Sequence, residues 1–175
     1  MAREKKPLLN WPKLNWPKQA LRIYWDAYGG VSALRTSAYL WFSVALALFC
    51  LFFKAPDFSW SDAALSIVPD LLGFSLGGYA IMVGFGDTEF LEALRGKEEE
   101  GKPSPYMKLN ATFLHFIIVQ AITLVFALIA KALDIASWDV VAFLGLLLLI
   151  YTTMTIVAAA FTVLAIANLY DQKPK

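Results

Sequence analysis

Four long apolar runs, separated by short charged connections, organise the chain. The pattern predicts spans over about 36–53, 63–85, 109–130 and 140–167. Each is close to the roughly 20 largely uncharged residues that carry a helix across a hydrocarbon core of about 30 Å. The expected fold class is an all-α integral membrane protein with four transmembrane helices. The last run exceeds one membrane thickness, so it is expected to tilt or to project beyond the bilayer.

The second run carries a further period. Ala63, Ser66, Asp70, Gly73, Gly77, Ala80, Gly84 and Asp87 recur at alternating steps of three and four residues. That is the repeat of a seam along which helices cross at a shallow left-handed angle. Every member is small or acidic, while Ile67, Leu71, Leu72, Phe74, Leu76, Ile81, Met82 and Phe85 lie off it. One side of this helix therefore admits close approach, by another backbone or by water and ions. Gly73 and Gly77 have the GxxxG spacing that permits helix–helix contact. Asp70 is costly within a span, by about 2.5–3.5 kcal/mol at the bilayer centre. It either faces a bundle interior or aqueous cavity, or caps backbone donors near Pro69, or sits at the outer interface. Pro69 removes a backbone donor and predicts a kink.

Residues 1–35 read as a basic cytoplasmic arm. It contains a tandem repeat, Leu9-Asn10-Trp11-Pro12-Lys13 followed by Leu14-Asn15-Trp16-Pro17-Lys18. Proline in every fifth position prevents a continuous helix there. Trp beside Lys suits the headgroup layer, so Trp11, Trp16 and Trp25 are expected as membrane-interface anchors, together with Trp60 and Trp138 in the outer loops. Residues 17–28 place Leu21, Tyr24, Trp25 and Tyr28 on one face, as an N-terminal amphipathic helix lying in the interface. Gly29 and Gly30 end it. Residues 86–108 form a second cytoplasmic loop, with a short helix over 88–95 and a charged, Pro-containing linker after it.

Composition sharpens this reading. Of 175 residues, 59% are hydrophobic and 17% charged, and the charges sit at the ends and in the connections rather than along the elements. Thirteen Lys and Arg fall before the first span, in the second loop and at the C-terminus, against two in the other loops. This asymmetry puts both termini in the cytoplasm, and the expected location is a bacterial inner membrane. The net charge of +1 gives nucleic-acid binding no support. Cys50 and His115 are single residues of their kinds, so neither an intrachain disulfide nor a metal site is expected, and no cofactor. No cleavable signal peptide is expected, because charged, Pro- and Trp-rich sequence precedes the first apolar run. The loops 54–62 and 131–139 resemble each other, which raises a duplication of two hairpins.

No hydrolase triad, nucleotide loop or paired acid set is present, so no enzyme is expected. His115 and Gln120 can bond across helices or relay a proton. Tyr151, Thr152, Thr153, Thr155 and Thr162 can bond to their own helix. The favoured expectation is a small homo-oligomeric membrane channel or pore, cation-selective through Asp70, with the second helix lining or gating it. Asp87 would mark its inner end. The alternative is a non-conducting scaffold or sensor subunit that recruits a cytoplasmic protein partner. A proton-coupled transporter using Asp70 is the third reading.

Overall fold

The computed structural model describes residues 16–53, 57–84 and 102–171. All its elements are helices: α1 (Trp16–Tyr28), α2 (Gly30–Thr36), α3 (Ala38–Phe53), α4 (Trp60–Gly84), α5 (Pro105–Ala132) and α6 (Asp139–Asp171). Three stretches, Trp60–Ile81, Pro105–Ala132 and Asp139–Ala165, are long and apolar enough to cross a membrane. The expected first span is different. Its 36–53 is essentially α3, which is bent by 57° from α2 at Ser37, and a fourth crossing results only if α2 and α3 are counted as one.

The break at Ser37 is chemically satisfied. Ser37 is extended (ψ 112°), and its own N–H still donates to the Leu34 carbonyl. Its hydroxyl accepts from the Leu40 N–H, and the Trp41 indole donates to the Arg35 carbonyl at 2.7 Å. The turn from α1 into α2 uses Gly29 (φ 98°) and Gly30 (φ 61°), a left-handed pair that other residues adopt only with strain.

Helix α6 touches α3, α4 and α5, and α4 packs most extensively on α5. α1 lies against α5, where Tyr24 and Ala27 are buried with Ala111. The amphipathic face expected of α1 is therefore split. Tyr24 turns inward and Tyr28 is half-buried, whereas Leu21 and Trp25 stay exposed.

The helix starts follow local chemistry. Ser59 accepts from the Asp62 N–H at the head of α4. Ser104 caps α5 through the Met107 N–H, with Pro105 in the first turn, so α5 begins ahead of the expected 109. α5 ends with Asp134 in the left-handed region (φ 55°) and the Ile135 N–H returning to the Ala130 carbonyl. α4 continues as helix through Pro69.

The two short loops meet at one end of the bundle. The Trp60 indole donates to the Ala136 carbonyl at 2.8 Å, and Lys131 pairs with Asp62 across the exposed surface. Trp60 is 3% exposed and lies flat beside Phe126. Its ring is thus a core group and not the headgroup anchor expected. A Cβ on Gly145 of α6 would collide with that ring, so glycine is what lets α4 and α6 close over it. Trp138 and Trp25 are exposed. Trp11 and the Trp16 side chain lie outside the described residues, as do the repeat up to Asn15, Asp87 and the short helix expected over 88–95.

The polarity is inverted relative to a water-soluble domain. Large apolar side chains such as Phe42, Phe52, Phe74, Ile122 and Phe161 face outward, while Ser43, Ser75, His115, Gln120, Thr123, Thr152 and Thr155 are buried. An outer surface this rich in exposed apolar side chains suits lipid as solvent, where buried polar groups pair across helices. The helices are those of a membrane-embedded protein.

Candidate functional site

Two regions carry chemistry: the outward seam of α4 and a polar line through the interior. Ser66, Asp70, Gly73, Gly77, Ala80 and Gly84 are all exposed on the protomer, and only Ala63 is partly buried. A Cβ built on Gly73, Gly77 or Gly84 meets nothing within 4 Å. The opposite face, through Trp60, Ala64, Val68 and Ser75, is the one packed into the bundle. Exposed Ile67, Phe74, Leu76 and Ile81 flank the seam, so the small residues lie in a trough between bulkier ones. Asp70 is near the middle of the Trp60–Ile81 span, about 15 Å along the axis from Trp60 at ~1.5 Å per residue. That is deeper than a span beginning at 63 would place it.

The interior line begins at α1. The Tyr24 hydroxyl is 2.8 Å from His115 Nδ1, and the Tyr151 hydroxyl is 3.0 Å from His115 Nε2. Tyr28 stacks on the same imidazole, with ring centroids 4.1 Å apart. One histidine thus ties α1, α5 and α6 together. A neutral imidazole has one N–H, so one tyrosine donates to it and the other accepts from it, and the two tautomers exchange those roles. Burial, then the neighbouring Tyr151, holds the Tyr24 and Tyr28 hydroxyls above the ordinary tyrosine range, so both stay protonated.

Deeper in the bundle, the Gln120 amide donates to Ser75 Oγ on α4 at 2.8 Å and reaches Thr155 on α6 at 3.5 Å. Its carbonyl oxygen has no partner among the described residues. Thr123 and Thr152 pair at 2.8 Å. Both His115 and Gln120 therefore bond across helices. Thr153, Thr155 and Thr162 bond to their own helix, but Tyr151 and Thr152 join the interhelical line. Ser75 and Gly145 were not singled out in the sequence, and Tyr24 was placed only on the amphipathic face of residues 17–28. Ser75 had a visible cue: it lies on the face opposite the seam, in helical register with Trp60, Ala64 and Val68.

A cleft of about 570 Å³ opens between the α2–α3 break and helices α5 and α6, walled in part by Tyr28, Ser37, Tyr151 and Thr155. Among the described residues there is no group of His, Cys, Asp or Glu side chains placed to hold a metal ion. Comparison with protein-family models, with curated proteins and with solved structures finds no match.

Proposed function

We propose that the protein is a small homo-oligomeric channel of a bacterial inner membrane, with both termini cytoplasmic and α4 lining or gating the pore. The carrying observation is the outward exposure of Ser66, Asp70, Gly73, Gly77, Ala80 and Gly84 together. Inside the protomer, Val68, Phe113, Gln120 and Thr152 are fully buried and fill the space between helices. A conduit is therefore assigned between copies rather than within one. A carboxylate turned toward lipid at this depth costs about 2.5–3.5 kcal/mol, and a ring of Asp70 side chains around water removes that cost. Such a ring selects cations. The α2–α3 pair supplies the fourth crossing, and the outer edge of α1, with Leu21 and Trp25, rests in the interface.

Purified protein in planar bilayers tests this. Cation-selective unitary currents are expected, with Asp70→Asn bringing the cation-to-anion permeability ratio close to one. Silence across voltage, pH and tension, or an Asp70→Asn channel that selects as well as the parent, overturns it.

A second reading has its own support in α1. Lys18, Leu21, Arg22 and Trp25 wall a shallow surface groove beside the bundle. In that reading the protein is a non-conducting scaffold, and α1 docks a cytoplasmic partner while the α4 seam serves packing alone. Leu21→Ser with Trp25→Ala separates the two: it removes a co-purifying stoichiometric partner from a scaffold and leaves the conductance of a channel in place.

A further inference from the structure

The cleft beside the α2–α3 break has an unusual donor balance. Four threonines on its wall, Thr36, Thr112, Thr155 and Thr162, each give their hydroxyl hydrogen to a carbonyl of their own helix, at 2.9, 2.9, 2.6 and 2.8 Å. With the hydrogen committed, the exposed or half-buried Thr36, Thr112 and Thr162 oxygens offer the cleft only lone pairs, while Thr155 lies buried behind them and also faces the Gln120 amide. Five aromatic rings, Tyr28, Tyr39, Phe116, Tyr151 and Phe161, share the wall with Ser37 and four alanines. No charged side chain lines it. A wall of acceptor oxygens and aromatic rings, without ammonium or guanidinium, is attractive to positive charge; of the hydroxyls that share it, Tyr151 is already bonded to His115, and only those of Tyr28, Ser37 and Tyr39 stand beside it as neutral donors. The head of α3 lies at the same break and brings N–H groups of the opposite preference. Ser37 takes up the Leu40 N–H there. The missing formal negative charge selects a large, weakly hydrated cation over a metal ion, whose dehydration such neutral oxygens do not repay.

We infer that this cleft is a binding site for a bulky organic monocation, an ammonium or phosphonium centre carrying apolar groups. The site is separate from the α4 seam, since no α4 residue walls it. It lies toward the end of the bundle that holds α1 and Ser104, the headgroup level of the leaflet on that side. The ammonium could therefore belong to a free cation or to a lipid headgroup. Farther along the α3–α6 boundary, Phe49, Phe53, Leu146 and Ile150 wall an apolar groove suited to hydrocarbon.

Equilibrium dialysis of the full chain in maltoside micelles, which carry neither charge nor ammonium, tests the inference. Tetraphenylphosphonium is the probe and tetraphenylborate its anionic counterpart of the same shape. Uptake specific to the cleft is the part lost in Thr36→Lys, an exposed position where a new ammonium sits at the wall without disturbing the core. Expected are saturable phosphonium binding at least tenfold tighter than borate, and a tenfold or greater loss in Thr36→Lys. Phe161→Ala, also at an exposed position, weakens binding by roughly threefold to tenfold through the lost cation–π contact. Elution profiles matching the parent establish that the variants fold. Competition by phosphatidylethanolamine but not phosphatidylglycerol assigns the site to a lipid headgroup; no competition by either assigns it to a free cation. Absence of saturable phosphonium binding, borate binding as tight, or Thr36→Lys binding as the parent does overturns the inference.

Discussion

Gly145 and the α4 glycines are the same residue type in helices that touch, yet they stand in opposite surroundings. At Gly145 a methyl group has no room, because the Trp60 ring of α4 lies across the α6 backbone. At Gly73, Gly77 and Gly84 a methyl group meets open space. A small residue in a membrane helix marks close approach, since lipid offers no hydrophobic drive and contact depends on fit. At Gly145 the approaching group belongs to the same chain. On the α4 seam nothing among the described residues comes within 4 Å of a methyl group at these glycines, and that open space is what the proposed oligomer would fill.

The largest effect that would break this contrast is on folding. Gly145→Val should exceed the roughly 1–3 kcal/mol of ordinary overpacking, because Trp60 cannot retreat without giving up its bond to Ala136. A large fall in midpoint of thermal unfolding in maltoside is expected. A Gly145→Val protein that melts with the parent would mean that α4 and α6 do not close as described. Next comes Gly73→Leu with Gly77→Leu. These side chains point away from the core, so the monomer should unfold within about 0.5 kcal/mol of the parent. Association should suffer instead. Cysteines at position 66 or 80 in a Cys50→Ala background should cross-link between copies in the parent and fail to do so in the double variant. Absence of cross-linking in the parent would leave the seam facing lipid and remove the basis of the pore, and undiminished cross-linking in the double variant would mean that the glycines do not set the contact.

The contrast also shows where the sequence could be read and where it could not. Hydropathy blocks locate the helices, because about 20 apolar residues have little else to do in a chain this poor in charge. Periodicity shows which α4 residues share a side. It does not say whether that side turns inward, since the bundle direction is set by neighbours far along the chain. The deciding group was Trp60, whose place beside a loop suggests an interfacial anchor. Its burial depends on Phe126, Ala136 and Gly145 together. The break at Ser37 was hidden because it falls at the very start of the expected first span, just after Arg35 and Thr36, and the capping hydroxyl is a single serine among several. The Tyr24–His115–Tyr151 line joins three separate helices. No local pattern announces it, although a polar residue in an apolar helix was a fair sign that some partner existed.

His115 sharpens the comparison at a smaller scale. His115→Phe keeps a ring for Tyr28 to stack on but deletes the bonds to Tyr24 and Tyr151. Interhelical bonds within membrane bundles average about 0.6 kcal/mol, so a loss of roughly 1–2 kcal/mol is expected for the pair. The distinctive consequence is local. Amide exchange should accelerate in α1 and in the α5 turn it covers, while the α4–α6 contact around Trp60 stays protected. Equal acceleration in both places would mean that α1 is part of the same cooperative unit as the bundle.

The smallest effect belongs to the Asp62–Lys131 pair, which joins the head of α4 to the tail of α5 beside the two short loops. Both side chains are more than half exposed, at 57% and 55%. Holding two solvated side chains in one geometry costs entropy that the Coulomb attraction in water barely offsets, and salt screens what remains. The loops are already joined by the buried Trp60 indole and its Ala136 carbonyl, which salt does not reach. Lys131→Met should therefore leave the thermal midpoint unchanged at both low and high ionic strength. A midpoint that drops in the variant at low salt and recovers the parent's value at high salt would assign the loop contact to the ion pair, and Trp60 would lose its place as the group that orients α4.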